Sequence, residues 1–133
     1  MTIVSLGNRE YAVGSDSSDS EADAAVKDYI QNSVWSFRPE FIAGHSIIDD
    51  VDIIKIIQSK YEESNDSILK LIKDFDSFVD DAVSSDGRGH FLSSYDGCEV
   101  TLDNLDEDDT QKIAELLDID DEDWSETYVY RIN

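Results

Sequence analysis

The sequence is short of positive charge, and that shortage excludes several kinds of partner. Ten of its 133 residues are lysine or arginine, against 32 aspartates and glutamates, so the formal net charge is −22. A chain with this field repels nucleic acids and anionic membrane surfaces, and we expect neither as a direct partner. A basic protein surface is the partner that such a charge favours.

Cysteine and long apolar runs are scarce as well. The single cysteine, Cys98, excludes an intrachain disulfide and fits a reducing compartment. No stretch approaches the roughly 20 apolar residues that span a bilayer. The start "MTIVSLGNRE" lacks the basic segment and apolar run of a signal peptide. We therefore expect a soluble protein of the cytoplasm.

Apolar residues are nevertheless plentiful enough to form a core. They make up 40% of the chain and include thirteen Phe, Trp and Tyr residues, so wholesale disorder is not expected. The length suits a single domain covering residues 1–133. The only proline, Pro39, should open a short helix over residues 39–43.

Periodic patterns predict an α+β fold, with a bundle of about four to five helices on a small, mostly antiparallel sheet of three to four strands. The alternation in "REYAV" (9–13) and "TYVYRI" (127–132) predicts strands. "HFLSSYDG" and "CEVTL" read as a hairpin around the Asp96-Gly97 turn. The first helix should follow a cap at Ser20.

Three further helices follow from apolar spacing. Residues 48–63 are apolar nearly all round, which predicts a helix packed on two sides. Residues 64–85 predict one continuous helix of about five turns. The segment 106–117 predicts a third. The inward residues expected in the last two are Ile72, Phe75, Val79, Ile113, Leu116 and Leu117.

The most unusual stretch is "LDNLDEDDTQKIAELLDIDDEDWSE", residues 102–126, which we call the acidic segment. It holds twelve carboxylates and one lysine, Lys112, and is predicted to be a helix-loop insertion before the last strand. Solubility needs a net charge of only about 2–8, and the excess costs stability through self-repulsion. Residues 16–28 and 49–81 are also net negative. We infer that the charge serves a partner.

The acidic segment is the predicted partner-binding surface, with Trp124 and its neighbour Tyr128 as the expected aromatic anchors. Helical carboxylates four residues apart repeat about every 6 Å, and a second acidic element beside them approaches the charge density of duplex DNA. A groove built for DNA would accept such a surface. The predicted partner-binding residues are Asp103, Asp106, Glu107, Asp108, Asp109, Glu115, Asp118, Asp120, Asp121, Glu122, Asp123, Trp124 and Glu126.

Calcium and zinc are the alternatives for these side chains, and the spacing favours neither. Residues 118–129 begin like an EF-hand loop, but Asp123 replaces the required glycine and Val129 replaces the bidentate glutamate. The stretch from Asp16 fails in a similar way. His45, His90 and Cys98 match no zinc spacing. We predict no metal and no cofactor.

The sequence favours neither a phosphate-binding loop at the glycine-rich stretch "DGRGH" (86–90) nor a catalytic site. The stretch lacks the third glycine of a dinucleotide loop and follows a helix, so a helix cap at Gly87 or Gly89 is the better interpretation. His90, Tyr95 and Asp96 would serve acid–base catalysis only if they converged in one pocket. We predict that the protein is not an enzyme.

Two likenesses point to a phage origin. At "DGRGHFLSSYDG" and "YVYRIN" the chain resembles small phage-encoded proteins of the form DGRGHFL-x-YDG with a C-terminal Y-[IV]-Y-R-x-N. "VWSFRPEFIA" and "DFDSFVDDAVSSDG" match too, and the departure lies at residues 98–126. That family carries no activity to transfer. In overall composition, the chain is similar to phage anti-CRISPR and anti-restriction proteins that imitate DNA.

These observations lead to one expected function and one alternative. The expected function is inhibition of a basic, nucleic-acid-binding defence complex in the host cytoplasm, through DNA mimicry. The alternative is an acidic regulatory protein that binds a basic host protein without imitating DNA. Competition with duplex DNA for the same partner separates the two.

Overall fold

The computed structural model describes residues 1–14 and 18–133 and divides the chain into two compact units. Unit 1 comprises Met1–Val26 and Asp86–Asn133, and unit 2 comprises Lys27–Ser85. No helix of the described residues is long and apolar enough to cross a membrane. The calcium-loop reading that starts at Asp16 falls on residues outside the described ones.

Unit 1 is built on a four-stranded antiparallel sheet with the order β1-β2-β4-β3. Strands β2 and β4 lie where the alternating patterns predicted them, whereas β1 was not predicted. It precedes a tight turn at Gly7, which has a φ of +64°. The strands are β1 (Thr2–Leu6), β2 (Arg9–Val13), β3 (Val100–Thr101) and β4 (Tyr128–Arg131).

The described residues also contain seven α-helices, so the α+β prediction is confirmed with more helices than expected. Four short 3₁₀ helices connect them, at Val34–Ser36, Tyr61–Ser64, Leu102–Asn104 and Asp121–Glu126. The α-helices are α1 (Ser18–Gln31), α2 (Pro39–His45), α3 (Val51–Gln58), α4 (Asn65–Leu71), α5 (Phe75–Asp86), α6 (Arg88–Leu92) and α7 (Glu107–Leu117).

Both faces of the sheet carry buried side chains, because alternate strand residues point to opposite sides. One face packs Tyr11, Val13 and Val129 against Leu102 and Ile113 of the acidic segment. On the other face, Tyr130 and Ala12 pack with Ala22 of α1, and Leu92 covers them. The acidic segment therefore contributes to the core of unit 1 through its apolar residues.

The predicted hairpin around Asp96-Gly97 is wrong. Residues 88–92 form α6, and β3 pairs with β4, with Val100 opposite Val129. Helix α6 packs closely against the backbone at Cys98, and this approach requires Gly89. An added Cβ at that position would lie 2.5 Å from the Cys98 carbonyl carbon. The turn itself exists, since Gly97 has a φ of +71°, but it follows a helix.

The prediction of one continuous helix over 64–85 is also wrong. α4 ends at Leu71 because residues 71–73 bond to residues 45–47: the Leu71 carbonyl accepts from the Ile47 N–H at 2.8 Å. Ile72 and Phe75 are consequently only half-buried, whereas Val79 is buried as predicted and Phe78 is fully buried.

Several smaller expectations need correction. α3 is packed on one side only, since Ile54 is buried while Ile56 is 70% exposed. In α7, Ile113 faces the core but Leu116 is exposed. Ser20 lies inside α1 and does not cap it. Pro39 opens α2 as predicted.

Candidate functional site

The acidic segment leaves the sheet after β3 and returns to it before β4, so that its two ends lie close together. The Leu102 N–H donates to the Thr127 carbonyl at 2.8 Å, next to the pairing of Thr101 with Tyr128. Inside the segment, the Thr110 hydroxyl donates to the Leu102 carbonyl at 2.7 Å. These bonds hold the segment as a folded part of unit 1.

Helix α7 forms the first half of the segment, and it is capped at both ends. The Asp106 carboxylate accepts from the Asp108 N–H at 3.0 Å, which satisfies a free donor at the helix start. Asp118 ends the helix in the left-handed conformation, with a φ of 55°, and aspartate tolerates this geometry better than most residues. Ile113 and Ala114 are buried and fasten the helix to the core.

The second half is a 3₁₀ helix over Asp121–Glu126, and Trp124 holds it in place. The Trp124 indole N–H donates to the Ile119 carbonyl at 3.2 Å, and the ring packs against the core of unit 1. Thr127 adds a hydroxyl bond to the Asp123 carbonyl. The half-buried indole therefore supports the acids structurally, and much of its surface lies against the protein itself.

Eleven of the twelve carboxylates in the acidic segment are exposed. They occupy the helix starts, the solvent face of α7 and the 3₁₀ helix, where nearby lysine is limited to Lys112. The exposed members are Asp103, Asp106, Glu107, Asp108, Glu115, Asp118, Asp120, Asp121, Glu122, Asp123 and Glu126.

Asp109 is the exception, and it does not belong to the exposed surface. It is 2% exposed and binds the Arg9 guanidinium through both carboxylate oxygens, at 2.7 and 2.8 Å. The Tyr11 hydroxyl donates to it at 2.8 Å. Hydrogen bonding to Arg9 lowers the pKa of Asp109 and raises that of Arg9, while burial raises the pKa of Tyr11. Nothing in the sequence pattern links residues this far apart.

We expect Asp109→Asn to cost about 1.5–3 kcal/mol at neutral pH, the usual range for a hydrogen bond to a charged group. Because the pKa of Asp109 is lower in the folded state, its contribution is complete above the unfolded pKa of about 4. It is lost as the pH falls through the folded pKa. Urea unfolding of both proteins across the acid range measures the difference.

The stability difference between the wild type and Asp109→Asn should therefore be constant above about pH 4 and should shrink as the pH falls from there through the folded pKa of Asp109. The matched variant Asp108→Asn changes an exposed neighbour and should show no such pH-dependent difference. A constant gap between wild type and Asp109→Asn at every pH would mean that the ion pair contributes nothing.

Sequence reasoning missed the role of Arg88, which lies in the "DGRGH" stretch. Its guanidinium is mostly buried and binds Asp19 at 2.8 Å, Asp23 at 3.0 Å and Glu99 at 2.7 Å. It also lies 4.7 Å from the centre of the Tyr128 ring. Hydrogen bonding to Glu99 is the main cause that raises the pKa of Arg88. The stretch thus ties α1, α6 and the residues before β3 together.

The proposed acid–base group of His90, Tyr95 and Asp96 has other contacts. The His90 ring meets Phe91 edge-on, and the Tyr95 ring lies 3.7 Å below the Arg131 guanidinium. Asp96 accepts from the Ser93 hydroxyl at 2.7 Å, which is the main cause of its lowered pKa. Gly87 lies between α5 and α6 with a φ of +82° and a ψ of 157°, so it does not adopt the left-handed helical conformation of the predicted cap.

The histidines and the cysteine, which are the potential zinc ligands, belong to different parts of the chain. His45 pairs with Asp81 at 2.9 Å in unit 2, whereas His90 and Cys98 belong to unit 1. Within the described residues, one group of three potential ligands has its donor atoms within 4.8 Å of one another, and all three are exposed. The three are Asp120, Glu122 and Asp123.

Comparisons of the chain with protein-family models, curated proteins and solved structures found no match. The charge of the chain is divided unequally between the two units. Unit 1 carries 20 acidic and four basic residues, whereas unit 2 carries 12 acidic and six basic residues. The strongest negative field therefore belongs to the unit that contains the acidic segment.

Proposed function

We propose that the protein inhibits a nucleic-acid-binding defence complex of a host cell by occupying its DNA site. The observation that carries this proposal is the presentation of eleven exposed carboxylates by a folded segment whose ends are joined at Leu102 and Thr127. A flexible acidic tail would carry the same charge without fixed positions. A fixed array suits a partner that recognises the regular charges of a duplex.

Charge density supports mimicry. Helix α7 has 11 residues, and a helix of that size spans about 16 Å at 1.5 Å per residue. Duplex DNA of this length carries roughly ten phosphates, at one charge per 1.7 Å of axis. Helix α7 alone presents three exposed carboxylates, Glu107, Asp108 and Glu115, and the total approaches that of the duplex only when the eight in the flanking residues of the acidic segment are added. A groove of lysines and arginines would release counterions on binding either one.

Pre-organisation supports the proposal independently of charge. The caps of α7, the Trp124 bond to Ile119 and the buried Ile113 fix the backbone that carries the acids. A surface that is already ordered loses less conformational entropy when it binds. Electrostatic attraction then raises the association rate and helps set the orientation.

The resemblance to small phage-encoded proteins supplies the biological setting of the proposal. A phage protein that blocks host defence acts in the host cytoplasm. An acidic inhibitor of an anti-CRISPR or anti-restriction kind needs no catalytic residues and no cofactor. The expected partner is basic, and its DNA-binding groove is the expected contact.

The test begins with an affinity-tagged protein incubated in host lysate, with and without excess duplex DNA. A captured complex that binds nucleic acid, and whose capture the duplex suppresses, supports mimicry. A captured basic protein that ignores the duplex supports the alternative, binding without mimicry. Capture of proteins without a basic, nucleic-acid-binding surface contradicts both.

The protein itself should not bind DNA. Its ten basic residues are outnumbered by 32 acidic ones, and Arg9 and Arg88 are already paired with carboxylates. Fluorescence anisotropy of a labelled duplex at about 0.15 M salt, where the Debye length is about 8 Å, measures this. We expect no change in anisotropy up to high protein concentration. Saturable binding would contradict the proposal.

A further inference from the structure

Unit 1 contains a cleft of about 470 Å³ between the start of α7, strand β2 and the turn around Gly97. This volume lies within the range of about 300–1,000 Å³ that is typical of small-molecule sites. Three of the four basic residues of unit 1 line it, namely Arg9, Lys112 and Arg131. The remaining wall is partly apolar, from Tyr11, Val100 and Leu105.

Most acids of the cleft are already engaged. Asp109 binds Arg9, Asp96 accepts from Ser93, and Asp106 caps α7. Asp108 and Lys112 are not engaged in this way. They lie one helical turn apart on α7 and line the same cleft, yet neither has an ion-pair partner within 4.0 Å among the described residues.

An aspartate four residues before a lysine would ordinarily pair with it on a helix surface. In this cleft the two side chains are more than 4.0 Å apart and line a common space, with the Arg131 guanidinium, which stacks on the Tyr95 ring, as a second cation. A ligand with charges of both signs would satisfy them together. A purely anionic ligand would also meet the repulsion of the surrounding acids.

We propose that this cleft binds a small zwitterion of the amino-acid class. Its carboxylate accepts from Lys112 and Arg131, its ammonium donates to Asp108, and its side chain meets the apolar wall. This site shares Asp108 and Lys112 with the acidic segment, but its test needs no DNA-binding partner. The two proposals can fail independently.

The test uses free L-amino acids, added one at a time to ¹⁵N-labelled protein and followed by amide chemical shifts. Each amino acid is compared with its N-acetyl derivative, which lacks the ammonium, and its amide derivative, which lacks the carboxylate. We expect at least one free amino acid to shift cleft residues saturably, with a Kd of about 1 mM or tighter. Both derivatives should bind about tenfold more weakly or worse.

Two variants test the named residues, with a matched pair as control. Lys112→Gln and Asp108→Asn should each weaken binding by about tenfold or more. Asp66 and Lys70 have the same spacing on α4 in unit 2, are also exposed, and lie outside the cleft. Asp66→Asn and Lys70→Gln should leave binding unchanged. The spectra report directly whether each variant is folded.

The proposal is overturned if no free amino acid shifts the cleft residues saturably. It is equally overturned if the singly charged derivatives bind as well as the zwitterion. Unchanged binding by folded Lys112→Gln and Asp108→Asn would place the ligand elsewhere.

Discussion

Phe78→Ala is expected to destabilise unit 2 by about 3–5 kcal/mol, the usual cost of truncating a buried aromatic residue. Phe78 is fully buried and lies 5.0 Å from the Phe37 ring and 4.9 Å from the Phe41 ring, both edge-on. The His45 ring is 5.3 Å away. Phe78 thus contacts several rings of unit 2 at once, so its removal should leave a cavity that the neighbours cannot fill.

Phe75→Ala is the matched control, because Phe75 stacks on Phe78 at 6.3 Å but is only half-buried. It should cost less than about 2 kcal/mol, in proportion to the smaller apolar area it removes from water. Urea unfolding in a Trp124→Phe background leaves Trp35 as the single tryptophan, which reports on unit 2. Equal losses for the two variants would show that the core of unit 2 is centred elsewhere.

Strands β2 and β4 could be predicted because alternation is a local signal. The break between α4 and α5 could not, because it depends on backbone bonds from Lys73 to His45 and from Ile47 to Leu71. The apolar spacing of residues 64–85 continues across the break, so periodicity alone suggests one helix. Long-range pairing decided the local structure.

The candidate surface was predictable to a similar extent. The composition predicted the acidic segment as a charged surface, and eleven of its twelve carboxylates are exposed. It could not distinguish Asp109, since the partners Arg9 and Tyr11 are about 100 residues away in sequence. Trp124 was expected as an anchor for a partner, but its indole N–H is already bonded to Ile119. The anchor role of Trp124 stays a prediction, because its indole ring is only half-buried.

Neutralising six exposed acids of the acidic segment is expected to slow association with the partner by about 10- to 100-fold, because long-range steering is lost. None of the six side chains makes a hydrogen bond or an ion pair among the described residues, so folding should survive. Asparagine also tolerates the left-handed backbone at position 118. The substitutions are Glu115→Gln, Asp118→Asn, Asp120→Asn, Asp121→Asn, Glu122→Gln and Asp123→Asn.

A control variant removes the same charge from unit 2, which separates a local contact from the overall field. If the acidic segment forms the contact, the control should slow association much less, because it leaves every carboxylate of the acidic segment in place. Surface plasmon resonance with the captured partner measures both association rates. Equal rates for both variants would point to the net charge alone. The control substitutions are Asp49→Asn, Asp52→Asn, Glu62→Gln, Glu63→Gln, Asp66→Asn and Asp80→Asn.

Equilibrium competition between the protein and duplex DNA for the captured partner tests DNA mimicry most directly. Labelled protein bound to the partner is titrated with a duplex that the partner recognises, and the bound fraction is measured by anisotropy. Mimicry predicts complete displacement that follows a single shared site, with the sixfold variant displaced at lower duplex concentration. A ternary complex, in which the partner holds the protein and the duplex together, would contradict it.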